Sequence, residues 1–539
     1  PAESAFYHGR TNPVEGMAKS PVDPGTNNST GQSGTGQNID VVYHRTEWAI
    51  NPNAAKAISG TVTTYFKTIA TNVNTISFDL NKNSFDNASL LVTYHGTPCS
   101  VNFPATGNLN ILYITLPVTL AATGTLDSVS IQYAGTPPAA SGAAEGFQKS
   151  TTPAGDPYIY TLSESYEDRD WWPCKADMQD KIDSMDINVT TPWTGADTFW
   201  VATNGKLIDS TISNETRRFS FRNRYPMASY LVCLAVAKYN RYYRGTVLIG
   251  NKEVPVVYNI FRGKSDAQYT NILARMDNIN LVLAAFSQKF GDYPFTREKH
   301  GFYEGLGGAG GMEHQTFSAI ASNALTDAST LAHELMHQWF GDKVTFATWA
   351  DLWLAEGFAT YGEILAGQLV PSSGINAASK LAAIKNSARG NTITPVRITS
   401  YGNSNQIWTN GNTNAVYNRG CMVLSMLRAL SGDDKYFAAC RAYLDSATGS
   451  GYKSANTDSL KNNFNKILAT DITPFFDDYV IGNGHPTYTI NWQAGAVSGI
   501  TLSVGSQSKS ANSSVEYFNG PVVLRVQGAS GEDTTIVFY

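Results

Sequence analysis

Two histidines four residues apart bracket a glutamate in the run His333-Glu334-Leu335-Met336-His337, and no other feature constrains the chain as tightly. On an α-helix, residues i and i+4 share a face, so both imidazoles can reach one ion. Glu334 projects about 100° away from His333, beside the ion rather than on it, where it can take a proton from a bound water. The pattern predicts a helix over 327–340, capped by Asp327 or Ser329 and stopped at Gly341. The chain has only eight histidines, and these are the only pair at helical spacing.

A catalytic zinc keeps three protein ligands and one open position. The third ligand is expected at Glu356, 19 residues beyond His337, in Trp349-Ala350-Asp351-Leu352-Trp353-Leu354-Ala355-Glu356-Gly357-Phe358-Ala359. A helix, a turn and an antiparallel helix return a carboxylate to the first helix. Glu363 lies two turns further along the same face and can accept the second N–H of a ligand imidazole, fixing its tautomer.

The rest of the chain divides by its patterning. Residues 1–38 are rich in Gly, Ser, Asn, Thr and Pro and read as an extended arm. Over 39–246, short β-branched and aromatic runs such as Gly60-Thr61-Val62-Thr63-Thr64-Tyr65-Phe66 alternate with Gly, Asn and Pro, the signature of an all-β sandwich or saddle. Helical periodicity begins at Ala267–Phe290 and dominates 247–482, with further helices expected over 351–366, 375–388, 416–430, 434–447 and 456–468. Strands return over 483–539 and read as a small β-sandwich whose pattern runs to the last residue, as a truncated domain would. The expectation is a multidomain α+β protein with a mostly helical catalytic domain.

Composition narrows the partners. The net charge of -5 and the lack of a long basic stripe argue against nucleic acid. No apolar run reaches the roughly 18 residues that span a bilayer. Only 15% of residues are charged, against about 25% in an average domain. That polar but uncharged surface, with a chain starting Pro1-Ala2-Glu3, suggests a processed protein that is secreted or held in the cell envelope. The five cysteines are too few and too scattered for a disulfide framework, although Cys421 with Cys440 could bridge neighbouring helices. Nothing in the sequence speaks to oligomeric state.

The stretch His333-Glu334-x-x-His337-x-Trp339-x-Gly341-x-x-Val344-Thr345, followed by Trp349-x-Asp351-Leu352-Trp353-Leu354-x-Glu356-Gly357-Phe358-Ala359-x-Tyr361, resembles the gluzincin aminopeptidases of the aminopeptidase N type, a group that includes the bifunctional leukotriene hydrolase. The resemblance implies a thermolysin-like catalytic domain, one Zn2+ per chain, and peptide substrates with a free N-terminus. Gly310-Gly311-Met312-Glu313-His314 is similar to the family's Gly-Ala-Met-Glu-Asn strand. By that likeness Glu313 binds the substrate α-amino group, and the backbone of Gly310, Gly311 and Met312 holds the peptide extended. His314 departs from the family's Asn. Val416-Tyr417-Asn418-Arg419-Gly420 resembles the family's Tyr-x-Lys-Gly helix start, which implies that Tyr417 stabilises the oxyanion. Glu164, ahead of Trp172-Pro173-Cys174, resembles a β-domain residue that serves as second amine anchor. Asp342 and Ala355 stand where the family has Asn. Many members also carry a large C-terminal helical domain that this chain does not reach, so a more open cavity is expected.

Three rival readings share the motif. A thermolysin-like zinc endopeptidase would place its third ligand in a Glu-x-x-x-Asp context, whereas here Thr360 follows Ala359. An epoxide hydrolase would need a closed lipid tunnel. A non-catalytic binding protein on the same fold would have lost a ligand or the base, and none is lost here.

Overall fold

The computed structural model describes residues 34–538, apart from 56, 106–109, 196–197, 309, 391–392, 447–452, 495–499, 529–530 and 532. Most of the expected N-terminal arm, 1–33, lies outside the described residues. Its last residues pack against the strand Val73–Asp79, where Gly36 N donates to Ser77 Oγ at 2.9 Å and Asn38 Nδ2 donates to the Thr75 carbonyl at 2.7 Å.

The β-rich part is built on an eight-stranded sheet in which Ile39–Ile50 pairs antiparallel with Ile58–Thr68 and parallel with Ser184–Pro192. Ile39–Ile50 buries mainly alternate residues, as a strand with one face on a core must. A three-stranded and a four-stranded sheet complete this region. Trp48, Trp171 and Trp172 pack together in its core, with ring centroids 5.1 to 6.2 Å apart. The four-stranded sheet contains Pro157–Leu162, whose C-terminal end runs directly into Glu164.

A five-stranded sheet follows, ordered Tyr239–Ile249, Lys252–Phe261, His300–Leu306, Ser318–Ala321 and Gly311–Met312. The boundary expected at residue 246 falls inside its first strand, so the sheet of the catalytic region begins at Tyr239. The two-residue strand Gly311–Met312 is the outer edge and runs antiparallel to its neighbour, Ser318–Ala321.

Helix α1 (Asp266–Phe290) opens with a capping box between Ser265 and Gln268. Helix α2 (Ala328–His337) carries the two histidines. Its cap is Asp327, which accepts from the amides of Ser329 and Thr330 at 3.1 and 3.3 Å. It ends at His337 rather than Phe340, because the Phe340 carbonyl turns back to accept from His337 Nδ1 at 3.2 Å and the chain then leaves through Gly341 at φ 137°. Helix α3 (Trp353–Leu369) packs on α2 and supplies Glu356 and Glu363; α4 (Ala377–Gly390) packs on α3. The other motif residues hold this pair in place. Asp351 accepts from Thr457 N and Oγ1 at 3.1 and 2.7 Å and from Arg397 Nε at 2.9 Å, and Trp353 Nε1 donates to Thr457 Oγ1 at 3.0 Å.

Three further helices span Gly420–Ser431, Asp433–Ser446 and Thr457–Leu468. Two antiparallel hairpins, Pro486–Ala494 with Ile500–Lys509 and Val522–Gln527 with Asp533–Phe538, follow at the C-terminal end. All five cysteines are free thiols. The conceivable Cys421–Cys440 bridge is absent: both side chains are buried as small hydrophobes on successive helices. No helix among the described residues is long and apolar enough to cross a membrane.

Candidate metal centre and substrate cleft

His333 and His337 stand one turn apart on α2, their rings 4.8 Å between centroids. Glu356 reaches them from the first turn of α3, its Oε2 lying 3.2 Å from His333 Nε2 and 3.4 Å from His337 Nε2. A tetrahedral ion with bonds of about 2.0–2.1 Å separates its ligand atoms by about 3.3 Å. Both distances from Glu356 therefore match the edges such an ion requires, the three ligand atoms lie within 4.8 Å of one another, and the two-nitrogen, one-carboxylate set is that of a catalytic zinc with one position open.

Each imidazole is oriented from behind. His333 Nδ1 donates to Glu363 Oε1 at 3.1 Å, the contact expected from sequence, and His337 Nδ1 donates to the Phe340 carbonyl at 3.2 Å. Both bonds protonate Nδ1 and leave the Nε2 lone pairs for the metal. Against the cost of burial, His337 and His333 hold the Glu356 carboxyl down at about 2, so it is an anionic ligand throughout the useful pH range.

Glu334 is buried beside this set, not in it. Burial pushes its carboxyl up to about 8, with the two imidazoles pulling against that rise. Its Oε2 has no hydrogen-bond partner among the described residues. Its other face meets the backbone of Gly311 so closely that a Cβ there would lie 2.5 Å from the Glu334 carboxyl carbon. A side chain at Gly311 would have to displace the Glu334 carboxyl, so glycine brings the edge strand directly against that carboxyl.

Glu313 follows directly on that strand, and its Oε1 is buried without a partner. Glu164 arrives from the N-terminal β region, also buried, with Oε1 unpaired. Burial and the charges of Glu313, Glu356 and Glu334 raise Glu164 well above the usual carboxylate range. Neither Glu164 nor Glu313 makes an ion pair with a Lys or Arg among the described residues. Met312 is buried at the same edge.

Tyr417 lies in a single π-helical turn, Ala415–Arg419, that leads into the helix Gly420–Ser431. Its ring stacks on His333 with centroids 5.7 Å apart, and burial together with the charges of Glu356 and Glu164 holds its hydroxyl well above the usual tyrosine range. That helix comes close to α3 because two glycines face each other: a Cβ on Gly357 would lie 3.0 Å from the Gly420 carbonyl carbon. The crossing brings Tyr417 to the metal ligands.

Glu164, Glu313, Glu334, Glu356 and Tyr417 therefore lie close enough to act on one another electrostatically, beside His333 and His337. His314 takes a local role: its Nδ1 pairs with the Tyr303 hydroxyl at 2.9 Å, and burial lowers its pKa to about 3, which keeps it neutral. Asp342, in the family's Asn position, is fully buried near Lys181, whose Nζ donates to the Asp342 carbonyl at 2.7 Å. Sequence reasoning missed Tyr230, whose buried hydroxyl has no partner and lies within electrostatic reach of Glu313 and Glu164. It also missed Trp408, whose ring stands 6.4 Å from Tyr417, and Lys380, which pairs with Glu363. No local signal marks any of the three, because each reaches the cleft from a separate segment.

A family model, the peptidase family M1 domain, matches residues 311–479, from the edge strand to the turn after the last catalytic helix. This segment is an M1 peptidase domain. The resemblance to gluzincins of the aminopeptidase N type is borne out, and with it the zinc that the donor set calls for. Glutamyl aminopeptidase of Rattus norvegicus is 25% identical over 308 residues, 52% of this chain and 30% of that protein. Leucyl aminopeptidase of Saccharolobus solfataricus is 29% identical over 210 residues, 37% of this chain and 25% of the relative. The chain thus matches under a third of the length of these curated relatives. Among solved structures, the M1 zinc metallopeptidase of Deinococcus radiodurans superposes with TM-score 0.68 at 24% identity, over 82% of this chain and 94% of that one. Native yeast LTA4 hydrolase superposes with TM-score 0.67 at 17% identity, over 87% and 71%. These establish the fold around the M1 domain: β-rich region, helical catalytic region and C-terminal strands.

Proposed function

We propose that this chain is a zinc aminopeptidase that removes residues from the free N-terminus of peptides. The observation that carries the reading is a pair of buried carboxyl groups with no cation beside them: Glu164 and Glu313 stand beside the metal ligands, each with an oxygen unpaired among the described residues, and burial and repulsion from neighbouring carboxylates hold both above the usual carboxylate range. Buried charges without partners are costly, and a substrate ammonium is the missing cation. A cation-binding pair beside the metal ligands selects a chain end with a free amine, which favours exopeptidase over endopeptidase cleavage.

The residues divide the work as follows. His333, His337 and Glu356 would hold a zinc ion, which when bound would supply a water with its pKa lowered towards about 7 and a Lewis acid for the scissile carbonyl. Glu334 takes the proton from the attacking water and hands it to the leaving amine, serving as base and then acid. The Tyr417 hydroxyl donates to the carbonyl oxygen as charge builds there. The outer sheet edge at Gly310, Gly311 and Met312 adds the peptide as a further strand, and Glu313 with Glu164 pairs with its ammonium.

A panel of aminoacyl-coumarin amides, run beside their N-acetylated twins with and without a zinc chelator, tests this. Chelator-sensitive cleavage of the free-amine set alone is expected. Cleavage of both sets would point to an endopeptidase, and zinc uptake without cleavage to a binding protein. In the same panel Glu313→Ala should erase most of the preference for free amines. Tyr417→Phe should slow turnover about 100-fold or more with zinc content unchanged, the usual size of a lost oxyanion donor. The sparse surface charge supports a location in the envelope or outside the cell, which cell fractionation tests.

A further inference from the structure

Lys380 enters from the first turn of α4 and sets its ammonium on Oε2 of Glu363. The other oxygen of that carboxylate, Oε1, accepts from His333 Nδ1 at 3.1 Å. One carboxylate therefore joins a lysine on α4 to a metal ligand on α2, through α3. Asn376 fixes the start of α4, accepting from Ser379 N at 3.0 Å through Oδ1 and from Lys380 N at 2.9 Å through its carbonyl, so the lysine projects from a capped turn.

We propose that Lys380 is a positioning residue for the metal centre: by holding the outer oxygen of Glu363 it keeps the inner oxygen on His333 and the His333 Nε2 lone pair aimed at the ion. This rests on the zinc reading above. An exposed Lys–Glu pair contributes little, but this one is different in kind. Glu363 is 7% exposed, and both its oxygens are committed, one to each side. A buried carboxylate oxygen without its cation is costly, and the cheapest escape is rotation towards water. Lys380 also lines a solvent-open cavity of about 450 Å³ with Arg275 and Asp327, which offers that escape. Rotation of Glu363 would release His333 Nδ1 and let the ring turn about its Cβ–Cγ bond. Lys380 thus acts on the ligand from outside the cleft, on the opposite side of Glu363 from the substrate.

The test is a double-mutant cycle read in zinc affinity and zinc release. Lys380→Met, Lys380→Arg and Glu363→Gln are made singly, and Lys380→Met also in the Glu363→Gln background. Each protein is titrated with zinc against a chelating indicator well below its melting temperature, and zinc release is timed after excess chelator. Partners of metal-bound histidines typically change metal affinity 10- to 100-fold, so Lys380→Met is expected to weaken binding about tenfold. Lys380→Arg, which keeps the charge and offers a planar fork to the carboxylate, restores most of it. In the Glu363→Gln background Lys380→Met adds nothing. Wild-type affinity in Lys380→Met would overturn the proposal. So would an undiminished loss in the Glu363→Gln background, because the lysine would then act by another route. A wild-type chain that takes up no zinc would sink the functional reading itself, a separate failure.

Discussion

Replacing Glu334 with Gln is expected to lower kcat by about 10³ while zinc content and peptide binding stay as they were, since a positioned acid–base group contributes about 10² to 10⁴ in rate. Glu334 is outside the set His333, His337 and Glu356, although its carboxylate lies within 4.8 Å of ligand atoms of Glu313 and His337, and glutamine has the same shape, so it fits against Gly311 where a larger group would not. Glutamine can neither take the proton from water nor return it to the amine. Zinc analysis, steady-state rates and the affinity of an unreactive peptide separate the effects. Loss of zinc in the variant would mean the carboxylate had been misassigned. Retention of a tenth of the rate would mean that another group serves as base.

His337→Ala is expected to abolish both zinc retention and activity. His337 is fully buried, and removing it leaves Glu356 with a single imidazole partner. A ligand that binds only the folded state at 100 times its Kd adds about 2.7 kcal/mol, or about 5–10 °C in Tm for a domain of 150–250 residues. Chelation should lower the Tm of the wild-type protein by about that amount and leave the variant unmoved. Scanning calorimetry with and without chelator reads it directly. An equal chelator effect on both proteins would place the metal elsewhere.

The legibility of this site in the sequence follows the distance over which each contact acts. His333, Glu334 and His337 lie within one helical turn, so their joint geometry is set by local rules. Glu356 and Glu363 needed a second helix returning to the first, and the aromatic and apolar run around them announces it. Glu313, Glu164 and Tyr417 were found only by resemblance, because read alone each is one carboxylate or one tyrosine among many. Tyr230, Trp408 and Lys380 stayed hidden, since their roles exist only once several segments pack together. The same reasoning covers the elements. Helices α1 to α4 followed their periodicity to within three residues at every end, and α2 stops three residues short because a carbonyl that accepts from His337 Nδ1 cannot also extend the helix. The strand Tyr239–Ile249 runs across residue 246, where β-patterning looks alike on both sides; which strands share a sheet is a tertiary fact.

Glu164 comes from the β-rich region, while the metal, the base and Glu313 come from the helical one. Beside Glu164 the two regions are tied by Ser404 Oγ donating to Glu167 Oε1 at 2.5 Å and by the Tyr166 hydroxyl donating to the Tyr401 carbonyl at 2.5 Å. On the aminopeptidase reading proposed above, the part of the molecule that breaks bonds is thus not the whole of the part that counts residues. The ruler has one mark on each region, and its length is kept by the seam between them. A change that loosens the seam should leave the blade sharp and make the ruler unreliable, so fidelity for chain ends could drift in variants whose metal chemistry is untouched.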